Sequence, residues 1–347
     1  MITYAIMALI MLFLAFELLY KAKYKSDGTH LFDKQNSNAM RGFWCLIVIL
    51  VHIPTAYQNR IQDMLGSFAY IGVTFFFMTS AYGLRLGIEK NPDSIKCFWR
   101  KRLPRLLIPM VLVNVVSMVF SLVEGKGLSI TTLIHINGWV QWLMVCYVIF
   151  WTVKRFIKLI LTSNRGGYSD ILVCVLIIVF SVTMYAQKKR IIWNTWCPEV
   201  FGFVWGIVFF HVRSWLSAWT DKKWLPKCVF FCILAGIVGI AYLKFKSVIF
   251  FGDYLLKILL SVLIITFMLA VNSRIAIGNK VNLFLGSLSY EVYLLHGSVF
   301  GLLVAFMPEL GSGVFIGLSI LITVGISWVL QIAARHIINV VKIGNQR

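Results

Sequence analysis

The chain has 347 residues, of which 60% are hydrophobic and 13% are charged. Soluble domains are about 45–50% apolar and about 25% charged, so the composition excludes an ordinary water-soluble protein and predicts a multipass membrane protein. The net charge of +20 does not indicate nucleic-acid binding, because the basic residues lie in short clusters between apolar runs, as in the loops of membrane proteins.

A membrane-spanning helix needs about 20 mostly apolar residues. Eleven segments of the chain come close to this criterion, and brief polar connections separate them. The sequence therefore predicts an all-α integral membrane protein with about eleven transmembrane helices. The predicted spans are roughly 2–20, 42–57, 66–85, 104–123, 134–153, 170–187, 198–214, 226–243, 254–272, 283–306 and 311–334.

The first predicted helix stands apart from the other ten. It has no basic leader region and no small-residue cleavage site, so we expect it to be retained rather than removed as a signal peptide. Residues 1–35 are predicted to form this extra helix and a cytoplasmic linker, and residues 36–347 a membrane domain of ten helices. Most of the 33 Lys and Arg residues fall on one side, which predicts an outside N-terminus and a cytoplasmic C-terminus.

The second predicted helix opens with the segment RGFWCLIVILVH, from Arg41 to His52. Eleven residues amount to three helical turns plus about 20°, so the two side chains lie on one stripe, about 16 Å apart along the axis. An ionisable side chain within the bilayer is costly unless it faces a cavity or a partner. A functional histidine on a passage that begins at Arg41 is one interpretation, and a neutral histidine that packs between helices is the other.

A basic cluster, RKRLPR, lies at the predicted cytoplasmic start of the fourth helix. Arg102 and Arg105 are three residues apart, so they lie on neighbouring ridges of the helix and can converge on one anion. Guanidinium groups bind phosphate bidentately. The cluster predicts a phosphate-binding site for a cytoplasmic ligand, while retention of positive charge on the cytoplasmic side is the alternative explanation.

The tenth predicted helix carries SYEVYLLH, residues 289–296. Tyr293 and His296 are three residues apart and share one face, and His296 lies at a depth comparable to that of His52. Glu291 is displaced from His296 by about 140° around the helix, so a Glu–His pair within this helix is not expected. Two membrane histidines at matched depth predict a shared site.

Two further features carry weaker signals. Glu199, in the segment WNTWCPE at the outer start of the seventh helix, either caps that helix or lines an acceptor site. The seven cysteines show no CxxC spacing and no pairing with histidine, so neither a metal site nor a disulfide is expected.

Taken in this order, the motifs resemble those of the acyltransferase-3 family, whose members are multipass membrane enzymes that O-acylate cell-envelope and exported glycans in bacteria. The segment from Arg41 to His52 matches the family's Arg/Lys-x10-His pattern, and RLPR matches its R-x-x-R pattern. The stretch FFFMTSAYG resembles FF-x-x-S-G-(F/Y), where Ser80 matches and Ala81 replaces the glycine. SYEVYLLH resembles S-Y-x-x-Y-L-x-H. The resemblance extends from about residue 36 to residue 334.

The resemblance implies a membrane O-acyltransferase of the cell membrane. Its donor would be cytoplasmic acyl-CoA, most often acetyl-CoA, and its acceptor a hydroxyl group of an extracytoplasmic glycan or glycolipid. His52 would act as a general base, because imidazole titrates near neutral pH, or would carry the acyl group covalently. The further catalytic candidates are Arg41 and His296, the candidates for donor binding are Arg41, Arg102 and Arg105, and the substrate-orienting candidates are Ser80, Tyr293 and Glu199.

The main alternative is a transporter or flippase for a polysaccharide or a lipid-linked substrate, with His52 and His296 relaying protons. The sequence shows neither the inverted repeats nor the paired broken helices that are typical of transporters. A non-catalytic scaffold would leave the arginine and histidine motifs unexplained. The expected partners are the donor, the acceptor and the lipid bilayer, and the acceptor's identity, the acyl group and a homo-oligomeric state stay open.

Overall fold

A computed structural model describes residues 2–25, 31–58, 65–160, 166–187 and 196–344, together with Gln62. Within these ranges the chain forms eleven helices of sixteen residues or more. They are α1 (Ile2–Leu19), α2 (Lys34–Val51), α3 (Tyr70–Lys90), α4 (Phe98–Val123), α5 (Gly138–Ile160), α6 (Gly166–Gln187), α7 (Phe201–Asp221), α8 (Trp224–Phe245), α9 (Lys257–Asn272), α10 (Lys280–Phe306) and α11 (Ser312–Gly344).

Short elements connect these helices. Two strands of two residues each, β1 (Lys23–Tyr24) and β2 (Ile275–Ala276), pair antiparallel and tie the segment after α1 to the segment after α9. A π-helical turn leads directly into α9, and three short helical turns lie elsewhere in the connections. These turns are Phe251–Leu256, Thr55–Tyr57, Pro92–Ile95 and Ile130–Leu133.

Eight of the helices, α3, α4 and α6 to α11, are long and apolar enough to cross a membrane. Large apolar side chains cover much of their outer surface, as in α8, where Ile233, Ile237 and Ile240 are 59%, 60% and 71% exposed. Contact of such an apolar surface with lipid is favourable, whereas its exposure to water is not. The prediction of an all-α membrane protein is therefore confirmed, and the count of eleven spanning helices stays a prediction.

Helix α2 is shifted toward the N-terminus relative to its predicted span of 42–57. The structure places it at Lys34–Val51. Pro54 explains the early end, because proline disfavours helical backbone at the residue before it. Arg41 consequently lies about two turns inside α2 rather than at its entrance, and His52 is the residue that caps the C-terminal end of the helix.

Helices α2 and α10 run parallel and pack backbone to backbone. A Cβ atom on Gly286 would lie 1.9 Å from the carbonyl oxygen of Asn38, and one on Gly42 would lie 2.3 Å from that of Asn282. The Asn38 side-chain amide also donates to the Leu283 carbonyl at 2.8 Å. Small residues let membrane helices approach closely in this way. We call the end at which both helices begin the basic end, and the opposite end the distal end.

An ion cluster holds four other helices together toward the basic end. The Asp170 carboxylate of α6 lies 2.7 Å from Arg85 Nε of α3 and 2.6 Å from Lys154 Nζ of α5. The Nε2 atom of His211, on α7, lies 2.9 Å from the same carboxylate. Because Asp170 is buried, these partners compensate the cost of removing its charge from water.

Candidate active site

The two histidines that the sequence indicated lie side by side, with His52 at the end of α2 and His296 in the middle of α10. Their ring centroids are 4.9 Å apart. The Nδ1 atom of His52 lies 2.8 Å from the Val48 carbonyl oxygen, and that of His296 lies 3.2 Å from the Val292 carbonyl oxygen. A carbonyl oxygen only accepts hydrogen bonds, so each Nδ1–H donates and each neutral ring keeps the lone pair on Nε2. The pair therefore presents two basic nitrogens.

The histidines form part of the wall of a cavity of about 830 Å³ at the distal end, which we call the distal cavity. His52 is exposed, whereas His296 is buried. Tyr293 lines the same cavity. Among the described residues, none of those that line it is Lys, Arg, Asp or Glu. The wall also includes a third histidine, His135, and the side chains of Asn114, Ser117, Asn137, Gln141 and Trp196.

A second cavity, of about 530 Å³, lies nearer the basic end, and we call it the basic cavity. Arg41 of α2, Arg105 of α4 and Arg335 of α11 line it, together with Glu291 of α10. The Glu291 carboxylate is buried and interacts electrostatically with Arg335 and Arg41. The Arg41 Nε–H is buried and has no hydrogen-bond partner among the described residues. Three guanidinium groups around one carboxylate give the cavity a net positive charge, which suits an anionic ligand.

Ser80 also lines the basic cavity, where its hydroxyl group is a hydrogen-bonding partner of Tyr147. It therefore lies with the arginines and not among the residues that line the distal cavity. Arg102 does not line the basic cavity, although it is close enough to Tyr147 to interact with it electrostatically. The predicted convergence of Arg102 and Arg105 is thus not observed, because Arg105 converges instead with the arginines of α2 and α11.

An aromatic partition separates the two cavities. The ring of Trp139, which lines the basic cavity, lies 5.3 Å from that of Tyr293 and 6.2 Å from that of Tyr290. On α10, Glu291 lines the basic cavity and Tyr293 the distal one, so the cavities approach each other to within one helical turn. The sequence led us to expect one passage, and the structure divides it into two cavities at these rings.

A sequence model of a protein family, described as an acyltransferase domain, matches residues 34–332. The chain belongs to the acyltransferase-3 family. The matched range begins at the first residue of α2 and ends within α11, so it includes the histidine pair and the partition. Neither a curated protein nor a solved structure matches the chain significantly. Family membership and the apolar helices together make this chain a multipass membrane acyltransferase.

Glu199 lies outside both cavities of this acyltransferase-3 domain. Its carboxylate is buried, and Oε1 lies 3.6 Å from Lys257 Nζ. Helix α7 begins at Phe201, and its N-cap residue is Val200, which makes no side-chain capping bond. The carboxylate therefore makes no capping bond to α7 and does not line the distal cavity, although it is close enough to Tyr293 to interact with it electrostatically. A role for Glu199 in an acceptor site stays a prediction.

Two charged residues of the basic cavity were not identified from the sequence as part of a site. Arg335 was missed because the last predicted span ended at residue 334. Arg335 lies four residues after Gln331 in a mostly apolar helix, and this spacing could have indicated a polar face. Glu291 was correctly separated from His296, yet its position beside Arg41 depends on the packing of α10 against α2. A sequence pattern within one helix does not contain that contact.

The described part of the chain contains no group of three or more His, Cys, Asp or Glu side chains that could hold a metal ion. The histidine pair is accompanied in the distal cavity by amide, hydroxyl and aromatic groups.

Proposed function

We propose that this acyltransferase transfers an acyl group, most often acetyl, from cytoplasmic acyl-CoA to a hydroxyl group of an extracytoplasmic glycan or glycolipid at the cell membrane. One observation carries the proposal. A cavity lined by three arginines and a cavity that contains the pair His52 and His296 approach each other within one turn of α10. The donor enters from the basic end and the acceptor from the distal end. The loop charges favour a cytoplasmic basic end, with the N-terminus outside and the C-terminus inside.

The basic cavity is the proposed donor site. Acyl-CoA carries its phosphates at one end and its thioester at the other end of the pantetheine arm. Arg41, Arg105 and Arg335 bind the phosphates, and the unpartnered Arg41 Nε–H supplies a donor that is already desolvated. Ser80 and Tyr147 offer hydroxyl groups to the arm. This arrangement directs the thioester toward the aromatic partition.

The distal cavity is the proposed acceptor site, and it contains the general base. As the hydroxyl oxygen attacks the thioester carbonyl carbon, Nε2 of His52 accepts the hydroxyl proton. The Tyr293 hydroxyl donates a hydrogen bond to the oxyanion of the tetrahedral intermediate. The C–S bond then breaks, the ester is released, and the CoA thiolate takes the proton from His52. His296 accepts a hydrogen bond from the protonated His52 ring and so holds it in place.

An acyl-histidine intermediate on His52 is the alternative chemical route. In that route Nε2 attacks the thioester, the CoA thiolate leaves, and the acceptor hydroxyl attacks the acyl-imidazole. The two routes differ when no acceptor is present. Intact-protein mass spectrometry after incubation with acetyl-CoA alone shows an added acetyl group on the wild type only in the covalent route.

The proposed function is tested with purified protein in nanodiscs, radiolabelled acetyl-CoA and envelope glycan. Label should move to the glycan with release of one CoA thiol per ester. We expect His52→Ala to reduce the rate of transfer by about 10²- to 10⁴-fold, the usual contribution of a general base, while acetyl-CoA binding stays at the wild-type level. A wild-type rate in the His52→Ala protein would exclude His52 as the base.

The second candidate function is transport. Two cavities at opposite ends of a bundle, with a thin partition between them, also suit a protein that exposes one substrate site to each side in turn. A transporter moves its substrate without consuming a thioester. Acceptor-dependent release of free CoA thiol therefore decides between the two functions.

A further inference from the structure

The described residues that line the distal cavity include no Lys, Arg, Asp or Glu, although the chain carries 33 basic and 13 acidic residues. At the same end of the bundle, the Glu124 carboxylate is paired with Lys126 at 2.6 Å, so this pair adds no net charge. The described wall of the distal cavity is therefore polar and carries no Lys, Arg, Asp or Glu.

Two asparagines of this wall are held in one orientation by the backbone. The Nδ2 atom of Asn114 donates to the carbonyls of Leu133 and His135 at 2.9 and 2.7 Å, which leaves its Oδ1 as an acceptor. Oδ1 of Asn137 accepts from the Trp139 backbone N–H at 3.0 Å, which leaves its Nδ2 as a donor. A sugar hydroxyl donates one hydrogen bond and accepts others, so a fixed acceptor and a fixed donor on one wall match its chemistry.

Trp196 adds an aromatic surface to the same wall. Its ring lies directly on the N-terminus of α5, since a Cβ atom on Gly138 would approach it to 2.9 Å. The face of an indole packs against C–H groups while its N–H stays available for hydrogen bonding. Gln141, which donates to the Ile136 carbonyl at 2.7 Å, places a further side-chain amide at the cavity.

On the basis of the proposed function, we infer that the distal cavity accepts an uncharged sugar unit and excludes uronic acids and phosphate-bearing units. Among the described residues that line the cavity, an anion would find no Lys or Arg partner to compensate for the loss of its hydration, which is costly. A positive charge on these residues would require protonation of His52, His135 or His296, and a protonated His52 cannot accept the proton of the acceptor hydroxyl. The cavity volume lies within the range of about 300–1,000 Å³ that holds small ligands, which suits a short oligosaccharide.

The inference is tested by locating the label after transfer from radiolabelled acetyl-CoA to envelope glycan. The labelled glycan is cut with endoglycosidases into short oligosaccharides at neutral pH, where acetyl esters survive, and the fragments are separated by anion exchange. We expect at least tenfold more label per sugar on the neutral fragments than on the acidic ones. Comparable or greater labelling of the acidic fragments would overturn the inference, whereas label on no fragment would contradict the proposed function itself.

A charge introduced into the wall tests the physical cause. Gln141→Arg should raise the ratio of acidic to neutral labelling at least tenfold, because the new guanidinium pairs with a carboxylate or phosphate. The control is Gln187→Arg, which adds the same charge at an exposed position at the distal end of α6, and it should keep the wild-type ratio. Acetyl-CoA binding reports that each variant is folded. A wild-type ratio in a Gln141→Arg protein that still binds acetyl-CoA would overturn the inference.

Discussion

The basic cavity and the distal cavity share helix α10 but differ in chemistry. The basic cavity holds three arginines and a buried glutamate, and the distal cavity holds three histidines and no Lys, Arg, Asp or Glu among the described residues that line it. At their boundary, the ring of Trp139 contacts the rings of Tyr290 and Tyr293. The molecule thus keeps strong fixed charges on one side of the partition and titratable neutral groups on the other.

This separation has a physical reason. Binding a polyanionic donor requires fixed positive charges, whereas positive charge beside an imidazole opposes the uptake of a proton. A base placed among the arginines would therefore be a poor proton acceptor. In the proposed mechanism, the partition keeps the donor phosphates and the reacting hydroxyl in different environments while the thioester bridges the two. The partition would also limit the access of water to the thioester, which is prone to hydrolysis.

The largest expected effect comes from breaking both cavities at once. Gly286→Ala places a Cβ atom 1.9 Å from the Asn38 carbonyl oxygen. Because the group it meets is helix backbone and not the end of a flexible side chain, neither side can adjust locally. Helices α2 and α10 must separate, so His52 leaves His296 and Arg41 leaves Glu291. We expect loss of both acetyl-CoA binding and transfer, together with a lower thermal unfolding temperature. Binding is measured by calorimetry and unfolding by circular dichroism.

The matched control is Gly87→Ala in α3, where an added Cβ atom would meet nothing within 4 Å. Alanine is favoured over glycine in a helix by about 1 kcal/mol, so this variant should be active and at least as stable as the wild type. A Gly286→Ala protein that behaved like Gly87→Ala would contradict the close packing of α2 and α10.

The next effect should be confined to the basic cavity. Arg335→Ala removes one charge-assisted contact to phosphate, worth about 1.5–3 kcal/mol, which corresponds to a rise in the KM for acetyl-CoA of about 10- to 100-fold. The KM for the acceptor should not change. Steady-state kinetics with each substrate varied in turn measures both values.

Arg102→Ala is the comparison for this prediction, because the sequence favoured Arg102 as a donor ligand and the structure favours Arg335. We expect Arg102→Ala to raise the KM for acetyl-CoA less than Arg335→Ala does. The opposite order would restore the interpretation in which Arg102 and Arg105 form the phosphate site.

The sequence identified candidate residues on both sides of the partition, but it did not predict the start of α2 or which residues of other helices lie beside these candidates. His52 and His296 were found because an ionisable residue in an apolar segment stands out on composition alone. The start of α2 was misplaced because residues 34–38 are polar, and a run of apolar residues was the criterion for a predicted span. These residues are helical nevertheless, since Asn36 is fully buried, donates to the Asn272 carbonyl and accepts from the Ile277 N–H.

Contacts between helices account for the remaining differences. Arg41, Arg105 and Arg335 come from α2, α4 and α11, so no pattern within one segment shows that they line one cavity. Arg102 illustrates the same limit, because its spacing from Arg105 is suitable, yet the packing of the neighbouring helices decides which of the two lines the cavity. The partition likewise combines Trp139 of α5 with Tyr290 and Tyr293 of α10.

The smallest effect on transfer is expected at Glu199, which lies outside both cavities. Glu199→Gln keeps the size of the side chain but leaves Lys257 without its carboxylate partner, so thermal stability should fall. The rate of transfer per folded molecule should stay close to that of the wild type, since neither the arginines nor the histidines lose a neighbour that lines their cavity. Replacing Lys257 as well, in a Glu199→Gln, Lys257→Met protein, removes the unpaired charge and should recover stability. A loss of transfer in Glu199→Gln that the second substitution did not restore would mean that the acceptor site extends beyond the distal cavity to Glu199, as the sequence first suggested.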